Sequence, residues 1–414
     1  MKATAKRVLI VGGGLAALSC AIRLHRDGAL PLILESSDKV GGRVNTDLVD
    51  GFRLDRGFQV FLDSYPEAGS LLDRHQLNLR PFRPGALVFA DGKMHRVMDV
   101  FREPMEILAS AIAPVGSVLD KLRIALLRLR MLRASIPAIA QHEDLSTEAY
   151  LRRAGFSPRI IDVFFRSFYG GIFLERDLCT SSRMFEFTFK MFSEGNATLP
   201  AMGMGEIPRN LASKLPPTAL RLKARVASIE HESVTLDSGE RLRGDAVVVA
   251  TDAASAAALI PHLRPANVAW NSVTCVYFSA PQSPLNEAII VLNGTGSGLV
   301  NNVCVPSDVS ADYAPPGLAL ISVSVLGMPD TENLESKVLE ELEAWFGRCV
   351  HEWKHLRTDR IARALPAMLP GGEPKVGLLE RNSVLVCGDH CWSSSIEGAI
   401  ISGQAAADEL LKRF

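Results

Sequence analysis

The chain has 414 residues, a hydrophobic fraction of 47% and a formal net charge of −1. That length exceeds one ordinary core and predicts roughly two or three domains. The near-zero charge offers no basic excess to neutralise phosphates, which argues against a nucleic-acid partner.

The first element is "RVLIV", a short apolar run typical of a parallel strand buried on both faces. Gly12 permits a tight turn out of it, Gly14 lets backbone approach a pyrophosphate, and Ala17 packs the following helix close to the strand. "LAALSCAIRLHRDG" reads as that helix, with its N-terminal N–H groups aimed at phosphate and Gly28 as its end. "LPLILE" is a second buried strand. Its final Glu35 can accept both ribose hydroxyls, and its charge repels a 2′-phosphate. "DKVGGRV" follows, where Gly41 and Gly42 allow close approach and Arg43 offers a planar charged fork to a pyrophosphate.

"ALVFADGKMHRV" reads as a hairpin with an Asp-Gly turn. From Met105 to about Lys190 the periodicity is mostly helical. Within it, "DKLRIALLRLRMLRASI" carries Lys121, Arg123, Arg128, Arg130 and Arg133, with Leu122, Leu126 and Leu129 on one face. Such a helix suits an anionic membrane surface; the plainer reading is a domain helix with a solvated basic face. Phe165, Phe168, Tyr169, Phe173, Phe185, Phe187 and Phe189 are candidates to wall an apolar pocket, or else ordinary core. Arg166, Arg183 and Glu186 lie among them and need partners there.

"TLPAMGMGEIPRNLASKLP" begins a return helix, and "RLKARVASIEHESVTLDSGERLRGDAVVVATD" reads as a β-meander closing on a buried strand. "SVTCVYFSA", "AIIVLNG", "GLVNNVCVPS" and "LALISVSVLG" predict a further sheet, covered by the helix "TENLESKVLEELEAWFG". "NGTGSGLV" is a loop, because no helix follows its glycines, so no second nucleotide cradle is predicted. Near the end, "SVLVC" is a strand, Asp389 follows it, and Ser393 to Ser395 can cap the helix "IEGAIISGQAAADELL". Gly398, Ala399, Ser402 and Gly403 make one side of that helix small, so a neighbour packs close. Asp389 can bond a ribityl or ribose hydroxyl, and the helix N-terminus at Ile396 can stabilise negative charge on a reduced flavin.

The seven cysteines are scattered and odd in number, which disfavours a disulfide framework and suggests a reducing compartment. "CGDHC" lacks a second ligand pair, so no metal is predicted. The N-terminal stretch is unlike a signal h-region, and no apolar run reaches the roughly 20 residues of a membrane span. A cytoplasmic location follows as an expectation, with peripheral membrane contact open.

Taken in order, "VGGGLAALSCAIRL…LILE", "VGGRV", "GFRLDRGFQVF", "LPAMGMGEIPRNLASKL", "ARVASIEHE…GDAVVVATD", "IARALPAMLPG" and "GDHCWSSSIEGAIISGQAAADELL" resemble the flavin-containing amine oxidase superfamily. The ending is similar to its phytoene desaturase and protoporphyrinogen oxidase branch. The resemblance implies an α/β fold with a discontinuous Rossmann-type FAD-binding domain and an inserted α+β substrate domain. The FAD domain would comprise residues 1–78, 201–265 and 361–414, and the substrate domain 79–200 and 266–360. It implies non-covalent FAD held by Gly12, Gly14, Ala17, Glu35, Gly42, Arg43, Gly57, Phe58, Val226, Asp389 and Ile396. Three departures weigh against amines: Trp392 is the only aromatic candidate near the C-terminal motif, Lys190 is the only candidate for a water-binding lysine, and no cysteine stands in a context for covalent flavin attachment. His390, beside the flavin loop, is the remaining acid–base candidate.

The expected function is FAD-dependent hydride abstraction or desaturation of an apolar small molecule of isoprenoid, carotenoid or tetrapyrrole type. Electrons would pass to oxygen, a quinone or a partner protein. A peroxide-releasing amine or amino-acid oxidase and a redox-neutral flavin isomerase are the alternatives.

Overall fold

In a computed structural model of the chain, the described residues are 5–106, 113–260, 268–372, 377–379 and 384–414. Strand Arg7–Val11 lies inside a six-stranded sheet. The order is Leu220–Arg221, Leu30–Leu34, Arg7–Val11, Ala246–Val249, Val384–Val386 and Gly377–Leu379. The first five run parallel and the last pairs antiparallel at the edge. Val8, Leu9 and Ile10 are fully buried, as a strand covered on both faces requires.

Helix Leu15–Arg26 connects the first two strands, and helix Ile396–Leu411 packs across it. The predicted small side of the second helix makes this contact. A side chain at Gly403 would place its Cβ 2.1 Å from the carbonyl oxygen of Ala16. The Ser19 hydroxyl bridges the two helices by donating to the carbonyl of Ile400 at 3.0 Å.

The predicted β-strands of the middle and the hairpin join a strand that was not predicted, Lys354–Pro366, in one seven-stranded sheet: Lys354–Pro366, Trp270–Ala280, Ala319–Leu326, Val300–Cys304, Ile290–Asn293, Gly85–Ala90 and Lys93–Met98. The last two are the expected hairpin, turning through Asp91 and Gly92, both at positive φ as a tight hairpin needs. Helix Leu334–Phe346 covers one face, burying Leu334, Val338 and Leu342 and stacking Trp345 on Phe89 at 5.3 Å.

The helical part includes Val118–Arg133, Thr147–Arg153, Arg166–Phe173 and Ser182–Glu194, with a π-turn at Ile161–Phe165; residues 107–112 of the predicted helical stretch lie outside the described residues. Asp120 pins the first of these helices. Its carboxylate accepts from the backbone N–H and hydroxyl of Ser117 and from those of Ser157, at 2.7–2.9 Å. Burial works against its charge, but these bonds outweigh burial and hold its pKa at about 2.

The expected domain limits do not all fall between elements. Strand Lys354–Pro366 runs across 360/361. A three-stranded sheet of Phe61–Leu62, Ala197–Pro200 and Leu79–Pro81 ties the chain together at 78/79 and 200/201. The limit at 265/266 lies outside the described residues.

Candidate active site

From strand Arg7–Val11 the chain crosses to Leu30–Leu34 on one side, while Ala246–Val249 pairs on the other. This reversal opens a crevice at the carboxyl ends of the two central strands, the usual ligand position in an open α/β sheet. Gly12, at φ +102°, turns the chain there; a Cβ would sit 2.8 Å from the Ala250 carbonyl oxygen of the neighbouring strand end. The Gly13 N–H donates to Glu35 Oε2 at 2.6 Å, and the Ser37 N–H donates to Oε1 at 2.8 Å. Both strand ends are thereby locked around one carboxylate. A Cβ at Gly14 would meet nothing within 4 Å, so the space before helix Leu15–Arg26 is open to a ligand.

That space belongs to a cavity of about 1310 Å³. Gly12, Gly14, Glu35, Gly42, Arg43, Gly57, Phe58, Val226, Asp389 and Ile396 all line it. Residues separated by more than three hundred positions therefore meet at one site. Ala17 lies behind the lining, fully buried, where it lets the helix sit against the strand.

Arg43 does something the sequence did not disclose. Its Nη2 donates to Asp389 Oδ1 at 2.6 Å and its Nη1 to the carbonyl of Ala364 at 2.9 Å. Its guanidinium also lies over the Trp270 ring, 5.5 Å from the centroid. Burial disfavours its charge, and Asp389 more than restores it. Arg43 thus fastens the second glycine loop to the C-terminal loop. Ser395 Oγ caps helix Ile396–Leu411 by accepting from the Gly398 N–H at 2.9 Å, as predicted.

The cavity continues beyond the cradle into an apolar chamber. Phe165, Phe168, Tyr169 and Phe189 line it, joined by Phe164 and Phe192. Phe173, Phe185 and Phe187 do not line it; the first two are packed within the core and Phe187, partly buried, packs against it. The polar groups in the same stretch also point elsewhere. Arg166 pairs with Asp162 and Glu148. Arg183 donates to the His142 carbonyl at 2.7 Å. Glu186 is buried against His142 at 2.6 Å and the Tyr150 hydroxyl at 2.8 Å.

None of the three acid–base or cage candidates lines the cavity. The Lys190 ammonium is turned to the Met131 carbonyl at 3.1 Å and to Glu194, because Lys190 lies on a different helix face from Phe189 and Phe192. Trp392 stands outside the lining. His390 is beside Asp389, where burial pushes its imidazole below the ordinary pKa; its Nδ1 is buried without a hydrogen-bond partner among the described residues. Residues missed by sequence reading include Gly13, Gln59, Thr251 and Asp252, all lining the cavity. Gly13 and Gln59 adjoin residues already singled out, whereas Thr251 and Asp252 follow the last strand of the meander and had no such neighbour.

The sheet order, the crevice and the glycine cradle define a dinucleotide-binding α/β oxidoreductase fold. The family described as flavin containing amine oxidoreductase matches residues 15–411, and the chain belongs to it. It is 24% identical over 268 residues to the 15-cis-phytoene desaturase of Glycine max, covering 59% of this chain and 47% of that protein. It is 26% identical over 171 residues to protoporphyrinogen oxidase 2 of Arabidopsis thaliana, covering 40% and 32%. The chain thus spans about half or less of the length of these two relatives. A solved structure from Exiguobacterium sp. 255-15 shares the fold with TM-score 0.76 and 18% identity, covering 99% of this chain and 100% of that one.

Proposed function

We propose that the chain is an FAD-dependent oxidoreductase that removes hydride from an apolar small molecule. The observation that carries this reading is the continuity of one cavity, from the glycine cradle to the aromatic chamber. The residues present fit non-covalent FAD. Glu35 stands at the end of the second strand for ribose hydroxyls, and the open face of Gly14 meets a helix N-terminus suited to pyrophosphate. Val226 begins the meander at the adenine end. Gln59 Oε1, buried in the lining, has no hydrogen-bond partner among the described residues and fits a donor on a bound ring.

When bound, FAD supplies the hydride acceptor. The protein's own share is positioning. The phenylalanine wall desolvates and aligns a hydrocarbon against the cradle's inner end, where Gly57 and Phe58 stand. The N-terminus of helix Ile396–Leu411 faces the same region and favours negative charge there. Among the described residues, Lys121 is the one lysine lining the aromatic chamber, and it bonds the Ala113 carbonyl at 3.0 Å; Asp99, in the same wall, is paired with Arg128.

The likeness to phytoene desaturase and protoporphyrinogen oxidase supports an isoprenoid, carotenoid or tetrapyrrole substrate. Oxygen, a quinone or a partner protein then takes the electrons. The exposed leucines of helix Val118–Arg133 support a peripheral contact with a membrane that stores such substrates.

The test is anaerobic mixing of the FAD-loaded protein with amine, isoprenoid and porphyrinogen panels. Bleaching of the flavin absorbance by an isoprenoid or porphyrinogen is the expected result. Bleaching by amines alone, with peroxide released in air, overturns it in favour of an amine oxidase. Turnover of substrate only after chemical pre-reduction, with no acceptor consumed, overturns it in favour of an isomerase.

A further inference from the structure

The apolar chamber carries one feature that a plain hydrocarbon does not need. Two guanidinium groups, Arg102 and Arg128, line the cavity beside the phenylalanine wall. They share a single carboxylate, Asp99. Arg128 Nη1 is paired with Asp99 Oδ2, and Arg102 Nε lies 3.6 Å from the same oxygen. Both also donate to one carbonyl, that of Ser193, at 3.2 Å from Arg128 and 3.4 Å from Arg102. Ser193 directly follows Phe192 of the aromatic wall. Arg102 completes its contacts at Asn196 Oδ1, 3.2 Å away, and Arg128 lies over the Phe101 ring at 5.1 Å.

The pair is held in place from three directions, and among the described residues Asp99 is the one carboxylate that both guanidiniums share. The side chains are mostly covered, at 22% and 15% exposure. Two partly buried guanidiniums on one carboxylate favour a second anion beside them. Arg83, a third arginine of the lining, plays no such part, because Glu103 and Glu287 already engage its guanidinium. Asp99 also lines the chamber, and it is the anion already in use.

We infer that the substrate is an amphiphile. Its hydrocarbon body lies along Phe164, Phe168 and Phe192, and a carboxylate or phosphate group at its far end is bound by Arg102 and Arg128. Arginine suits this role because its fork meets either anion with parallel hydrogen bonds. The inference rests on the chamber being the substrate site. It narrows that reading from any apolar molecule to one bearing an anionic group.

The test compares decanoate, decyl phosphate and decanol by calorimetric titration of the FAD-loaded protein. The two anions are expected to bind roughly ten- to a hundredfold more tightly than the alcohol, and to lose that advantage at high salt. The stronger of the two identifies carboxylate or phosphate as the natural group. An Arg102→Gln/Arg128→Gln variant is expected to bind all three alike, at the affinity of decanol. The Arg102→Lys/Arg128→Lys variant is expected to keep part of the preference, which separates charge from packing. Equal binding of the three ligands by the unaltered protein overturns the inference, as does a preference that survives in the double glutamine variant. Loss of the FAD reading registers separately, as absence of flavin absorbance from a protein that still takes up decanoate.

Discussion

Asp55 shows how a single side chain can couple the two halves of the molecule. It ends strand Phe52–Asp55 and is wholly enclosed. Its carboxylate accepts from the Thr46 hydroxyl and the Met204 N–H, both of the cradle side. It also accepts from the Tyr313 hydroxyl at 2.8 Å, while the Tyr277 hydroxyl donates to its carbonyl; both tyrosines belong to the other side. Burial dominates over these bonds and raises its pKa from 3.8 to about 6. The folded protein therefore holds this proton more tightly than the unfolded chain does. Stability from this group falls as pH rises from about 3.8 to about 6 and is level above that. Asp47 and Asp120, both lowered to about 2, act in the opposite sense, and their contribution is lost only as pH falls below about 3.8. Asp55→Asn is expected to flatten the descent between those two pH values, worth on the order of 2–3 kcal/mol. Chemical denaturation midpoints across that window measure it. An unchanged slope in the variant excludes Asp55 as the source.

At the scale of elements, the cradle depends on how closely two helices cross. Helix Leu15–Arg26 presents the carbonyl of Ala16 to the bare face of Gly403, and the contact leaves no room for a methyl group. Backbone lies on both sides, so neither helix yields by rotating a side chain. Gly403→Ala is expected to push them apart at a cost of roughly 1–3 kcal/mol. Because Gly14 and Leu15 begin the displaced helix, FAD affinity is expected to fall by about tenfold or more. Thermal melts with and without FAD, together with flavin fluorescence titration, separate the two effects. A variant with ordinary stability and affinity means that the crossing does not set the cradle. Elements of this kind were readable in advance, since strand, helix and cap signals are local. The small stripe from Gly398 to Gly403 foretold close packing, although not the identity of the partner. The contacts of Arg43 with Asp389, and of Asp55 with Tyr313, had no local signal, because they join residues 346 and 258 positions apart. The aromatic stretch was readable as a wall or a core. Helix geometry then split it residue by residue, leaving Phe168 in the chamber and Phe185 behind it.

Across the whole molecule, the cavity mouth and the most exposed apolar helix are the same place. Helix Val118–Arg133 lines the cavity with Leu122, Ala125 and Arg128. Outward it shows Val118 at 69% exposure, Leu119 at 60%, Leu122 at 56% and Leu126 at 65%. These positions fall on one helical face, so the run is a contiguous apolar strip rather than scattered surface residues. The helix is no span, since no helix among the described residues is long and apolar enough to cross a membrane. Of the predicted solvated basic face, Arg128 is drawn inward to Asp99. Arg130 stays 59% exposed, 3.6 Å from Glu186, and with Arg123 and Arg133 it flanks the exposed leucines. An amphipathic helix of this kind beds its apolar face into a bilayer surface, with basic side chains adding roughly 1 kcal/mol each over anionic lipid. The FAD-loaded protein is therefore expected to sediment with vesicles containing phosphatidylglycerol, and less with phosphatidylcholine alone. Leu119→Glu with Leu126→Glu places charge on the strip without touching the cavity lining. That variant is expected to stay in the supernatant while retaining its flavin spectrum. Sedimentation of the variant to the same extent as the parent protein would assign the membrane contact to another surface, and failure of the parent to sediment would remove it altogether.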